Sequence, residues 1–153
     1  MIKLNLPEYQ FNIRRNPDGA IAIYDQLRHK FVRLTPEEWV RQNFVEYLIQ
    51  ARHYPRGLMA NEVSLMQNGI KRRCDSLVAD NCGRPLVIVE YKAPSIKIDQ
   101  AVFDQIILRY NQVMMARYLM ISNGIVHYCC QNDYASKRII FLPEIPDYGN
   151  LVK

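Results

Sequence analysis

The stretch from Arg73 to Lys92 constrains the fold more than any other part of the chain. Leu86-Val87-Ile88-Val89 is an unbroken apolar run, the pattern of a central strand covered on both faces. Arg73 to Ala79 reads as the preceding strand, and Asp80-Asn81-Cys82-Gly83-Arg84 as the turn between the two. Asp, Asn and Gly supply the positive-φ positions that a tight reversal needs. With the turn centred between Cys82 and Gly83, residue i faces residue 165 − i, because 82 + 83 = 165. Asp75 then lies opposite Glu90, and Arg73 opposite Lys92. Side chains alternate along a strand, so Asp75, Glu90 and Lys92 share one face. Two carboxylates directly across a hairpin repel each other. At the end of an apolar strand such a pair suits a divalent ion with oxygen ligands. Lys92, one pleat further, is placed to orient a water or neutralise a phosphate. A one-residue slip in register would dissolve this arrangement. The plainer reading of the same residues is a charged strand end in solvent, with Asp75 paired to Arg73 or Lys92.

The 153 residues suffice for one domain with a real core. A net charge of +5 is compatible with a polyanionic partner, and the basic clusters Arg14-Arg15 and Lys71-Arg72-Arg73 concentrate it. Each cluster reads equally well as a solvated loop. Cys74, Cys82, Cys129 and Cys130 form no CxxC pair, and His29, His53 and His127 have no metal spacing. Reduced thiols are expected. No apolar run reaches membrane-span length, and Met1 to Pro7 has no signal-peptide core, so a cytoplasmic location is expected.

Residues 1–34 read as an N-terminal extension with a β-hairpin, Ile21–Tyr24 and Lys30–Leu34, without chemistry of its own. It is expected to cover a sheet edge or serve a partner surface. Residues 35–153 read as one globular unit. Thr35-Pro36-Glu37-Glu38 starts a helix running to about Ala51, with Thr35 as N-cap and Glu38 closing a capping box. Val40, Phe44, Tyr47, Leu48 and Ala51 give it a core face, with Arg41, Gln42, Asn43 and Glu46 off it. Arg41 and Glu46 are in range of a neighbouring acidic site, although solvent-facing positions are the commoner outcome. A strand from Met59 to Gln67 carries Glu62, a candidate third carboxylate, and Asn68-Gly69 signals a hairpin turn. A helix over Asp99–Met115, with Ala101, Val102, Ile106, Leu108, Arg109 and Val113 toward the core, leads to the strand Tyr118–Ile121. That crossover makes the two flanking strands parallel. Strands at Ile125–Cys130 and Arg138–Leu142 and an irregular tail complete an α/β sandwich around a mixed sheet.

The ordered set of residues resembles the PD-(D/E)xK nuclease superfamily, and specifically the N-terminal domain family of type I restriction enzyme R subunits. Thr35 to Gln42, Glu62, Arg73-Cys74-Asp75, Val87 to Pro94, Asp104-Gln105, Tyr110-Asn111 and Ser122-Asn123-Gly124 carry the resemblance. It implies a restriction-endonuclease-like core, a mixed β-sheet flanked by helices, with an extra N-terminal β-hairpin. It also implies roles. Asp75 and Glu90 would bind Mg²⁺, or Mn²⁺ in its place, with the Tyr91 carbonyl as an extra ligand. Glu62 would support the metal directly or through water. Lys92 would activate the attacking water. Gln105 and Tyr110 would contact DNA or order the site, and Arg73 would bind substrate. Cys74 stands where the family pattern often has Pro, and no helicase motor is read in these residues. The resemblance therefore implies a Mg²⁺-dependent nuclease acting on DNA in a restriction or DNA-processing context, with a partner subunit supplying targeting. A catalytically inactive module for nucleic-acid binding or protein docking is the competing reading, and RNA cleavage a third.

Overall fold

The computed structural model describes residues 1–67, 69–111 and 116–153. Its first unit is a three-stranded antiparallel sheet, β1 (Ile13–Arg15), β2 (Ile21–Asp25) and β3 (Lys30–Arg33), in that spatial order. The sequence indicates only the last two. The first arises because Asn16-Pro17-Asp18-Gly19 folds the chain back, with Gly19 at φ 86° and the Asp18 carboxylate accepting from the Ala20 amide.

Helix α1 (Pro36–Arg52) begins where the capping signals place it, with Pro36 at the first turn and the Thr35 hydroxyl accepting from the Glu38 amide at 3.1 Å. The capping box does not close, because the Glu38 carboxylate is taken by Arg28, Arg41 and Gln42. The single core stripe is also corrected. Arg41, Gln42, Asn43 and Glu46 are buried as well. The N-terminal segment packs on this helix, with the Trp39 indole donating to the Ile2 carbonyl and meeting Phe11 edge-on, so little of α1 reaches solvent.

A short 3-10 turn, Arg56–Leu58, leads to β4 (Met59–Gln67), β5 (Ile70–Ala79) and β6 (Pro85–Tyr91). Asn68, at the expected hairpin turn, lies outside the described residues. Helix α2 (Gln100–Asn111), β7 (Tyr118–Ser122), β8 (His127–Asp133), β9 (Arg138–Leu142) and the short α3 (Tyr148–Leu151) complete the chain. Strands β4 to β9 form one sheet in sequence order. The β6–β7 pair is parallel and the other described pairs are antiparallel, as a strand–helix–strand crossover within a meander requires. The register read from the turn holds: Ser76 faces Val89, Leu77 faces Ile88 and Val78 faces Val87, with a bulge only beyond Val78.

The two faces of the sheet carry separate clusters. Val87, Val89, Tyr91 and Met120 pack with Val40, Phe44 and Leu48 of α1. Ile88, Leu119, Ile121 and Cys130 pack with Phe103, Ile106 and Tyr110 of α2. The sequence reading of α2 is corrected in phase. Phe103, Ile106 and Tyr110, at i, i+3 and i+7, form the buried face, while Ala101, Leu108 and Arg109 point outward. Val113 and the stretch to Met115 lie outside the described residues. Strand β8 starts two residues later than expected, because the Asn123 side chain accepts from the Ile125 and Val126 amides and prolongs the turn. The tail is not irregular throughout: α3 returns Tyr148 to the core, where its hydroxyl donates to the Ala79 carbonyl. All four cysteines are free thiols, with Cys82 exposed and the others buried.

The β4–β5 ladder is interrupted partway along. It pairs Asn61 with Ser76 and Val63 with Cys74, but skips Glu62 and Asp75 between them. Glu62 sits at φ 55°, a left-handed conformation that a strand residue rarely takes. Residues two apart on a regular strand share a face. Here Ser76 donates to Asn61 and accepts from Tyr91 on the α1 side, whereas Val63 and Cys74 pack in the α2 cluster. The pleat turns over at Glu62.

Candidate active site

Asp75, Glu90 and Lys92 come together where β5 and β6 part from each other, just past the last pair of their ladder. The Asp75 carboxylate accepts from the Tyr91 amide at 2.9 Å, just where the β5–β6 ladder ends. Glu90, on the adjoining strand, is 5% exposed. The Tyr110 hydroxyl of α2 donates to its Oε2. Around its Oε1 stand the Lys92 ammonium at 4.0 Å and an Arg109 guanidinium nitrogen at 3.7 Å. Burial, and after it the charge of Asp75, pushes the Glu90 carboxyl up to about 7; Tyr110 and Arg109 oppose the rise. A carboxyl raised by a second carboxylate beside it is the electrostatic mark of a site that takes up a proton or a cation.

Glu62 lies on the neighbouring strand, across from Asp75. Its two oxygens are engaged by Arg41 at 2.8 Å and Arg73 at 2.9 Å. Arg41 also donates to the Asp75 carbonyl at 2.9 Å and to Glu38. Its side chain thus reaches the acidic cluster from α1. Glu46 does not; it accepts from Gln50 and faces Arg56. Tyr91 turns its ring to the opposite face, where its hydroxyl donates to Ser76. Tyr110 is buried and orders Glu90. Gln105 stays exposed on α2. Arg73 is largely exposed, with its guanidinium on Glu62 and its carbonyl accepting from Arg109.

Three contributions are not legible as site residues from the sequence. Arg109 flanks Glu90, but the sequence places it on the core face of its helix. Glu37, on the first turn of α1, is in electrostatic reach of the site. Partial burial and then Asp75 raise its carboxyl, with Lys92 and Arg41 opposing. The third is a chain of buried polar groups from the N-terminal sheet. Arg28 bridges Asp25 and Glu38, and Glu38 binds Arg41. Asp25 also accepts from Asn61, which accepts from Ser76. Residues 1–34, read as without chemistry of their own, contribute through this chain as a brace for the site.

Among the described residues, no three carboxylate, histidine or cysteine side chains converge closely enough to cage a metal ion as they stand. The donor set still fits Mg²⁺, which keeps several waters and asks one or two carboxylates of the protein. Asp75 and Glu90 provide those. An apolar cavity of about 470 Å³ lies alongside, between Trp39, Pro36 and Pro94; it holds no carboxylate.

The fold and this cluster define an α/β domain with an acidic site at the end of a central strand pair. The family model of the type I restriction enzyme R protein N terminus matches residues 36–146, and the chain belongs to that family. A solved chain described as a fragment of a putative HsdR subunit of a type I restriction enzyme, from Vibrio vulnificus YJ016, shares the fold with a TM-score of 0.55 at 17% identity. The match covers 77% of this chain and 24% of that one, so this chain spans about a quarter of its length. No curated protein matches. Among the described residues, no helix is long and apolar enough to cross a membrane.

Proposed function

We propose that this chain is a PD-(D/E)xK-type nuclease domain that hydrolyses DNA phosphodiester bonds with Mg²⁺, or Mn²⁺, in a restriction or DNA-processing context. The observation that carries the reading is the half-buried Asp75 beside the buried Glu90, with Lys92 next to them. Membership of a restriction-subunit family supports it. Asp75 and Glu90 would hold the ion. The chemistry a bound Mg²⁺ supplies is polarisation of the phosphoryl oxygen and a lowered pKa for attacking water. Lys92 would orient that water and offset the negative charge that develops on the non-bridging phosphoryl oxygens as the water adds and the bond to the leaving oxygen breaks. Tyr110 fixes the Glu90 rotamer, and Arg41 fixes the backbone at Asp75. Arg73 and Gln105, both exposed, would meet the DNA backbone. DNA and a partner subunit that supplies targeting are the proposed partners.

A second reading is favoured by one observation. Glu62 is already neutralised by two arginines, as suits a module that docks or binds without cutting. Cleavage of supercoiled and linear DNA under Mg²⁺ or Mn²⁺ titration, with Lys92→Ala and Asp75→Asn beside wild type, separates the two. Metal-dependent cutting lost in both variants supports the nuclease. Absence of metal binding and of cutting in wild type supports the docking module.

A further inference from the structure

The outer face of the N-terminal sheet takes no part in the site described above. Cross-strand register puts Arg14, Ala22 and Arg33 on one face, and Tyr24 and Phe31 share it one pleat along. The opposite face carries Ile23 and Asp25, which are fully buried. Ala22, at the middle of the outer face, has only a methyl group. Arg14 therefore reaches from β1 across β2 to β3, where its Cζ lies 3.8 Å from the Phe31 ring centroid. That crossing explains why Ala22 is 2% exposed on an outward face. Tyr24 meets the same ring edge-on at 5.3 Å. The result is a guanidinium laid over an aromatic ring, a second aromatic beside it and a second arginine in line.

The charges on this face lack counterparts. Arg14 donates to the Asn16 side chain, and among the described residues neither Arg14 nor Arg33 has a carboxylate within ion-pair distance. Arg15 and Lys30 belong by register to the opposite face, at the ends of β1 and β3, and take no part in this one; Arg15 donates to the Gly19 carbonyl. The nearest strand carboxylate, Asp25, points inward and is consumed by Arg28 and Asn61. The same bonds fasten the sheet to α1 and β4, so the face keeps a fixed relation to the acidic cluster.

We propose that this face is a platform for single-stranded nucleic acid, with Arg14 and Arg33 on phosphates and the Arg14–Phe31 stack and Tyr24 against bases. Bases stack on aromatic rings and on guanidinium planes, and only unpaired bases offer their faces, so a single strand fits this chemistry better than a duplex. The platform rests on the nuclease reading for its purpose, delivery of a strand toward Asp75 and Glu90, but its binding needs no metal.

The test is fluorescence anisotropy in EDTA with a fluorescein-labelled oligothymidylate and with a duplex of equal length. Wild type is compared with Arg14→Glu/Arg33→Glu, the milder Arg14→Gln/Arg33→Gln, and Phe31→Leu, each checked for its thermal transition. Single strand is expected to bind more tightly than duplex. Removing both charges is expected to weaken it about tenfold or more and to flatten the salt dependence by roughly one to two in slope. Phe31→Leu is expected to weaken it several-fold at unchanged slope. Unchanged single-strand affinity in the folded glutamine variant, duplex bound as tightly, or no binding by wild type overturns the proposal. Loss of binding in the variants while wild type never cuts DNA leaves the platform standing and removes the nuclease. Cutting with unchanged binding does the reverse.

Discussion

Glu62 and Asp75 face each other at the point where the β4–β5 ladder is interrupted, and a single arginine, Arg41, holds the carboxylate of one and the carbonyl of the other. The left-handed backbone at Glu62 is the conformation that turns the pleat over there. For a residue with a Cβ that conformation costs on the order of 1 kcal/mol. Glu62→Gly and Glu62→Ala lose the same two ion pairs, but only glycine accepts the backbone freely. The glycine variant is therefore expected to be about 1 kcal/mol more stable than the alanine variant in urea unfolding. Equal stabilities would mean the position carries no strain.

Glu90 gives the protein a stability signature in pH. Its carboxyl is raised from the ordinary glutamate value of 4.5 to about 7 in the fold, chiefly by burial and then by Asp75. An acid whose folded pKa is raised takes up a proton on folding between those values. Its favourable contribution is complete below the unfolded value and is lost as pH rises through the folded one. In chelator, the melting temperature of wild type is expected to fall relative to Glu90→Gln between about pH 5 and pH 8. Parallel pH curves for the two proteins would show that Glu90 is not titrating in this window.

Tyr110→Phe removes the hydroxyl that donates to Glu90 and changes little else in shape. That bond favours the ionised carboxylate. Its loss is expected to move the Glu90 titration, followed by carboxyl ¹³C shifts, to higher pH. The expected loss of stability is roughly 1 kcal/mol, as for a hydrogen bond to a charged group that is partly replaced. A downward shift would contradict the assignment of Tyr110 as the donor.

Gly124 is fixed by two independent constraints. It stands at φ 84°, and a Cβ there would meet a Leu4 methyl at 2.6 Å. Gly124→Ala is expected to cost about 2 kcal/mol in unfolding free energy. Adding Leu4→Ala should return the steric part and leave the backbone part, a coupling that a double-mutant cycle resolves. Strict additivity would place Leu4 elsewhere.

Much of the site was legible in the sequence because it sits on one hairpin. A turn of known centre and a period of two suffice to bring Asp75, Glu90 and Lys92 to one face, and the observed pairing of Ser76 with Val89 has the register that the turn implies. Glu62 was reachable the same way, one strand further. Helix contributions were less legible because they depend on rotational phase. In α2 the apolar Leu108 suggests a core position, but it is 63% exposed, and Arg109 beside it goes to Glu90 instead. Arg41 was visible as a charge in range, whereas its partner Glu38 read as a capping residue. Asp25 and Arg28 had no local pattern at all, since their partners Asn61 and Glu38 come from other elements.

The N-terminal segment has a consequence for biosynthesis. The Asn5 amide donates to the Gly124 carbonyl, and the Asn5 carbonyl meets the His127 ring. These contacts join the start of the chain to its last third. During synthesis the Asn5 contacts therefore cannot close until β7 and the turn after it have left the ribosome, although Ile2 and Phe11 can already meet Trp39 of α1. Contacts of such sequence separation form slowly, since the whole intervening loop must close first. The junction of Leu4 and Asn5 with the turn at Gly124 is thus a late closure in folding, made after the central strands it rests on.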